Sequence, residues 1–131
     1  MIGGAPIPTI PLTPENARLR VVNGPAAGRV FLVDKMRLVV GRGDPTAVVV
    51  DIDLTECELG SPPMVSRWHA ELQWIDGELR VVDLGSINGT FVDGNRLDAQ
   101  TAKVPSAPVP LNAGSRLKLA NVELEVIRHE D

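Results

Sequence analysis

Ser66, Arg67, Trp68 and His69 stand side by side in "VSRWHAELQW", residues 65–74, just before the chain settles into strict in/out alternation. A hydroxyl, a forked cation, an indole and an imidazole in succession are more chemistry than packing requires. Three further polar clusters interrupt the apolar pattern: Gly41-Arg42 in "GRGD" (41–44), Asn88-Gly89 in "LGSINGT" (84–90) and "DGNR" (93–96). Guanidinium groups present forked donors to a tetrahedral anion, a serine hydroxyl adds a short charge-assisted bond, and turn amides can complete the cage. Phosphate is the ligand this set of groups suits. The Asn88 amide carries both donors and an acceptor, which fits the main chain of an extended peptide better than the phosphate itself.

Each group also has a plainer reading. Taken alone, Arg42 is a strand-end arginine in a weak surface ion pair, and Asn88-Gly89 is a favoured hairpin turn. Ser66 and His69, with Asp83 as orienter, sketch a nucleophile and its base. Yet "VSRWH" lacks the G-x-S-x-G elbow and oxyanion hole that such catalysis uses, so no enzyme activity is expected. His69 then reads as a structural histidine and His129 as a solvated one. Trp74 belongs to the core by alternation, whereas Trp68 stays open between packing beneath a loop and lining a peptide groove.

These groups need a scaffold that brings distant turns together. From Arg18 onward the chain falls into short Val- and Leu-rich runs at 18–22, 29–33, 37–41, 47–52, 69–75, 78–84, 89–94, 115–120 and 122–127. None is long and periodic enough for an amphipathic helix, and turn residues punctuate them as in a sandwich or barrel. "NGPAAG" at 23–28 and the Asp-Gly pairs at 76–77 and 93–94 supply residues that accept positive φ, as tight hairpins require. In "HAELQWIDGELRVV", Ala70, Leu72 and Trp74 face one side and Glu71 and Gln73 the other, which predicts a meander pair with one buried face. Loops of a sandwich gather at its two ends, so turns far apart in sequence converge. The stretch 99–110, dotted with proline, reads as a surface loop. Residues 1–17 alternate proline with small and aliphatic side chains and read as a disordered tail or linker, leaving 18–131 as one folded domain. Thr13-Pro14-Glu15 in that tail has the form of a kinase site, but Thr-Pro is a common dipeptide.

Composition narrows the function classes. A chain of 131 residues with 44% hydrophobic and 23% charged side chains has the make-up of one globular domain. Thirteen basic against seventeen acidic side chains give a net charge of −4, a field that repels nucleic acid and anionic membrane. Any bound anion must therefore be held by a local cluster. A single cysteine and two histidines leave no metal cluster in view and no cofactor is expected. With neither a leader pattern nor a membrane-span-length apolar run, a cytoplasmic location is the expectation.

Taken in order, "GR" at an early strand end, "SRxHA", and "NGT" after an aspartate-terminated strand resemble the forkhead-associated (FHA) domain over roughly residues 18–127. The closing "PLNAGSRLKLANVELEVI" is similar to the usual ending of that family. The resemblance implies an all-β antiparallel sandwich of about eleven strands that binds phosphothreonine in a partner protein, as a non-catalytic adaptor in Ser/Thr kinase signalling. Carried over position by position, it implies Arg42, Ser66, Arg67, Ile87 and Asn88 as phosphopeptide-binding residues, with Gly41, His69 and Gly89 as supports. Ile87 stands where the family often has a polar residue, so any contact there comes from its backbone or aliphatic surface. Trp68 occupies a variable, commonly basic position. The long segment after Arg42 carries Asp51, Asp53, Glu56 and Glu58, which read either as a solvated face or as a screen favouring basic residues beside the phosphothreonine. The competing expectation is a degenerate FHA-like sandwich that assembles with partners independently of phosphate.

Overall fold

Two-residue alternation sets the architecture. In β5 (Ala70–Ile75) buried and half-buried positions alternate without a break. Asp76 and Gly77, at φ 52° and 77°, then return the chain into β6 (Glu78–Asp83), with Ala70 opposite Asp83 and Ile75 opposite Glu78. A two-residue turn with both φ positive matches the right-handed twist of the strands it joins. The computed structural model describes residues 10–44, 46–98 and 104–130, and these hold eleven strands in two sheets. One sheet runs β2 (Val30–Leu32), β1 (Ala17–Val21), β11 (Val122–Arg128), β10 (Arg116–Leu119), β7 (Thr90–Val92) and β8 (Asn95–Arg96). The other runs β4 (Ile52–Asp53), β3 (Arg37–Gly41), β5, β6 and β9 (Val109–Pro110). The β3–β4 pair is parallel; the remaining pairs are antiparallel. Strands β1 and β11 lie side by side, with Ala17 opposite Arg128.

The inner faces meet in a single core. Leu19, Leu117, Leu119, Leu124 and Val126 come from the first sheet and Leu38, Val40, Leu72, Leu79 and Val81 from the second, all buried. Trp74 joins them, and its indole N–H donates to the Val33 carbonyl (3.0 Å), so the polar end of the ring is satisfied. The connection from Leu54 to His69 crosses one end of the sandwich, burying Leu54, Cys57 and Val65 beneath it. Among the described residues no helix is long and apolar enough to cross a membrane.

Three segments differ from the expectation. Of the valine-rich run 47–52 only Ile52 reaches a strand; Asp44 and Val48 form an isolated bridge and Val49 is 89% exposed. The cause is local: Asp44 Oδ1 accepts from the Thr46 amide (2.9 Å) and hydroxyl (2.7 Å), an alternative to the ladder that overrides β propensity. Within the stretch 99–110, residues 99–103 lie outside the described residues, while Val109–Pro110 pair with β6 at the sheet edge, where a proline is tolerated. Of the tail over 1–17, residues 1–9 lie outside the described residues. From Ile10 onward the chain lies on the body: Arg128 Nη1 donates to the Ile10 carbonyl (2.9 Å), Leu12 packs on the core, and Ala17 opens β1.

Shortening a core side chain and an exposed one should separate cleanly. Leu124→Ala is expected to lower the unfolding free energy by about 2–5 kcal/mol, and Val49→Ala to change it by less than about 0.5 kcal/mol, both read from urea denaturation midpoints.

Candidate functional site

The site begins with a missing side chain. A Cβ at Gly41, the last residue of β3, would land on the carbonyl oxygen of Arg67. Glycine there lets the 65–68 segment lie directly on the strand end. That contact is pinned by two bonds from Arg42: its N–H donates to the Ser66 carbonyl (3.1 Å) and its Nε to the Val65 carbonyl (3.1 Å). With Nε committed, the terminal nitrogens of the fork remain to face a ligand.

His69 ties this segment to a second loop. Its Nδ1 accepts the Ser66 main-chain N–H (3.0 Å), so its proton sits on Nε2 and is donated to the Gly89 carbonyl (2.8 Å). The ring is completely buried, and burial pushes its pKa below the ordinary 6.5, with the Gly89 carbonyl and the more distant Asp83 and Glu58 only partly opposing. The same Gly89 carbonyl also accepts from the Ala120 N–H (2.9 Å), which brings in the β10–β11 turn.

The second loop, 84–89, is wrapped around one buried carboxylate. Asp83 Oδ2 accepts from the amides of Gly85 (2.9 Å) and Ser86 (3.1 Å), and Oδ1 from the hydroxyls of Ser86 (2.5 Å) and Thr90 (2.8 Å). Ser86 Oγ in turn accepts from the Gly89 N–H (3.0 Å), and Gly89 sits at φ 89°. The Asn-Gly pair is therefore the end of a six-residue loop rather than a two-residue hairpin turn. It holds Ile87 outward, 83% exposed, with its N–H donated to Ser66 Oγ (3.1 Å). Asn88 Nδ2 donates to the Met64 carbonyl (2.8 Å). Residues 64–66 and 87–89 thus run alongside each other.

The geometry of a serine hydrolase is not formed here. His69 bonds the main-chain N–H of Ser66, not its hydroxyl, and the Asp83 carboxylate bonds Gly85, Ser86 and Thr90, not His69. Since Ser66 Oγ accepts from Ile87, its own proton is left to donate elsewhere. The Asp44 carboxyl, two residues after Arg42, is held below its usual range by the Thr46 hydroxyl and amide first, and then by the fields of Arg67 and Arg42. Arg67 is exposed, and among the described residues its side chain makes no hydrogen bond or ion pair. Arg42, Ser66, Arg67, Ile87 and Asn88 therefore share one rim, and Gly41, His69 and Gly89 sit beneath it.

Residues 38–120 match the model of the FHA domain. The chain belongs to the FHA domain family. An oxoglutarate dehydrogenase inhibitor from Corynebacterium glutamicum is 40% identical over 85 residues, which cover 65% of this chain and 52% of that protein. The glycogen accumulation regulator GarA from Mycobacterium tuberculosis is 39% identical over 88 residues, covering 67% and 48%. The chain spans about half the length of these curated relatives. Among solved structures, the FHA domain of an Arabidopsis thaliana hypothetical protein superposes with a TM-score of 0.69 at 25% identity, over 98% of this chain and 97% of that one.

In this FHA domain Asp51, Asp53 and Glu56 of the acidic segment are exposed and Glu58 half-buried, and each also bonds the loops or a neighbouring cation. Glu58 accepts from the amides of Met64 (3.1 Å) and Val65 (3.0 Å), Asp53 Oδ1 from those of Gly43 (3.0 Å) and Thr55 (2.9 Å), and Asp51 Oδ2 from that of Val39 (2.8 Å). Glu56 pairs with Arg29 (3.2 Å). Burial pushes the Asp53 carboxyl up, but the bonds from Thr55 and Gly43 outweigh it and hold the group below its usual range. Trp68 is 58% exposed beside the rim, so it is not core. The anchoring roles of Met64 and Glu58 were invisible at the level of motifs. Asp83, Ser86 and Thr90 did carry a signal, a carboxylate and two hydroxyls placed around a Gly-rich turn.

The buried neutral histidine makes stability depend on pH. The unfolded chain takes up a proton near pH 6.5 that folded His69 resists, so stability is complete above about 6.5 and falls as pH drops below it. His69→Gln should remove that component. Urea unfolding of both proteins between about pH 7.5 and 5.5 checks this, and equal pH slopes would contradict it.

Proposed function

We propose that this FHA domain binds phosphothreonine in a partner protein and carries out no reaction of its own. The observation that supports this most is the hydrogen-bonded seam joining residues 64–66 to 87–89, which sets Ser66 and Asn88 on one rim with Arg42 and Arg67. A phosphorylated threonine brings close to two negative charges and three strong acceptors. The free nitrogens of Arg42 and the Ser66 hydroxyl hold the phosphate, and Arg67 adds a second charged contact. Asn88, with one amide hydrogen on Met64, offers its remaining donor and its carbonyl to the peptide main chain. Ile87 contributes its aliphatic surface.

Charge-assisted bonds to an ionised group contribute on the order of 1.5–3 kcal/mol each, so two or three make binding conditional on phosphorylation. The overall charge of −4 reinforces this by giving unmodified acidic peptides no general attraction. The relatives are named an inhibitor and a regulator, not after a reaction, which supports reading this chain as a non-catalytic adaptor downstream of a Ser/Thr kinase.

Calorimetry with matched peptides bearing phosphothreonine, phosphoserine or plain threonine is the test. Measurable affinity is expected for the phosphothreonine form, weaker for phosphoserine and none for the unmodified one. Arg42→Ala should weaken binding at least about tenfold, Ser66→Ala less, and Arg67→Ala least among the cations. Affinity unchanged by Arg42→Ala, or by phosphatase treatment of the partner, would instead favour phosphate-independent assembly.

A further inference from the structure

Four strands end the two sheets, and three of them discourage further pairing. Strands β8 (Asn95–Arg96), β4 (Ile52–Asp53) and β9 (Val109–Pro110) are two residues long, and each carries a charge or a proline. Shortness, charge and proline are the features that keep a sheet edge from recruiting another strand. Strand β2 has neither charge nor proline. It reads Val30-Phe31-Leu32, with Val30 46% and Leu32 53% exposed on the outer face of the sheet, beside Arg20 and Arg18 of β1.

Only half of the β2 main chain is used. The Val33 N–H donates to the Ala17 carbonyl (3.3 Å), and the Arg29 carbonyl accepts from the Val21 N–H (2.8 Å). Residues 29 and 33 therefore face β1, and by the two-residue period of a strand Phe31 does too. The N–H and C=O groups of Val30 and Leu32 then point away from the sheet, where β2 has no neighbour among the described residues.

The strand that fits this edge is β2 itself. With Phe31 opposite the Phe31 of another copy, Val30 faces Leu32 and Leu32 faces Val30, so every outward main-chain group of the two residues is paired and apolar meets apolar. The two phenyl rings meet at the axis in the position where cross-strand side chains come closest. Charge sets the direction. Arg29 precedes the strand and Asp34 follows it, both exposed, and among the described residues the Asp34 side chain makes no ion pair. Antiparallel pairing brings Arg29 of each copy beside Asp34 of the other, whereas parallel pairing sets like charges together. The contact of Arg29 with Glu56 (3.2 Å) is exposed at both ends, and such a pair restrains an arginine only weakly.

We propose that β2 is a self-association edge, on which a second copy of this chain pairs antiparallel and joins the two six-stranded sheets into one. No rim residue takes part, so the proposal stands apart from the phosphothreonine reading. A three-residue seam is short, and the association is accordingly weak and reversible. Antiparallel pairing turns the two rims to opposite ends, so the pair presents one ligand site at each.

The test is sedimentation equilibrium on the unphosphorylated chain over about a hundredfold range of concentration. The average mass is expected to rise from one chain toward two. Leu32→Lys, which puts a charge on the edge, should hold it at one chain throughout. Arg29→Asp and Asp34→Arg should each stay monomeric alone and associate when mixed, because the mixture restores opposite charges at both ends of the seam. Recovery on mixing also shows that neither variant is misfolded. Amide exchange at Val30 and Leu32 should slow as concentration rises, while Phe31 is protected at every concentration. A constant mass of one chain, the result if the edge stays open or is covered by the chain's own residues, overturns the proposal. So does association that survives Leu32→Lys, or that mixing the two charge variants fails to restore, since another surface then joins the copies. None of these measurements reads phosphopeptide affinity, so their failure leaves the function of the rim standing.

Discussion

The pair of hydrogen bonds made by the His69 ring is the constraint on which the recognition end depends. A neutral imidazole accepts on one side and donates on the other across a rigid five-membered ring, so it fixes the distance between the Ser66 amide and the Gly89 carbonyl. No aliphatic residue does this, and a primary amide spans a shorter gap with a floppier arm. Because the ring is completely buried, both bonds are made in a medium where an unpaired polar group is costly. Loosening either bond frees two loops at once, since Ile87 leans on Ser66 and the β10–β11 turn leans on Gly89.

Around that link, acids and bases are sorted by position. Asp53 and Glu58 accept from loop amides that the ladder leaves without a partner, while Glu56 stays in solvent against Arg29. Arginines of the rim keep at least part of their forks outward. Arg42 and Arg67 thereby stand as local cations on a molecule of net charge −4. Asp44 is held through Oδ1 by the Thr46 amide and hydroxyl, which lower its pKa ahead of the fields of the two arginines.

How much of this was legible in the sequence depends on which atoms do the work. Strands β5 and β6 can be read from Ala70 to Asp83 because side-chain alternation and an Asp-Gly turn agree, two independent signals for one hairpin. The run 47–52 reads as strand by its valines, yet the Asp44 side chain reorganises the backbone there, a contest that propensity does not register. Strands β8 and β9 are two residues each and exist only because a neighbour is in register with them. At the rim, Arg42, Ser66, His69 and Asn88 stand out since their side chains are unusual for their places. Met64 and Glu58 do not, because one contributes a carbonyl and the other a cap to amides several residues away.

Neighbouring first and last strands have a consequence for how such a body is built into larger polypeptides. Ala17 and Arg128 face each other across a single inter-strand gap, about 5 Å. A host chain can thus enter and exit through almost the same point, as a lamp plugs into a socket, without stretching its own fold. Splicing of that kind leaves the host's two halves near each other and turns the far pole of the sandwich into an outward-facing sensor.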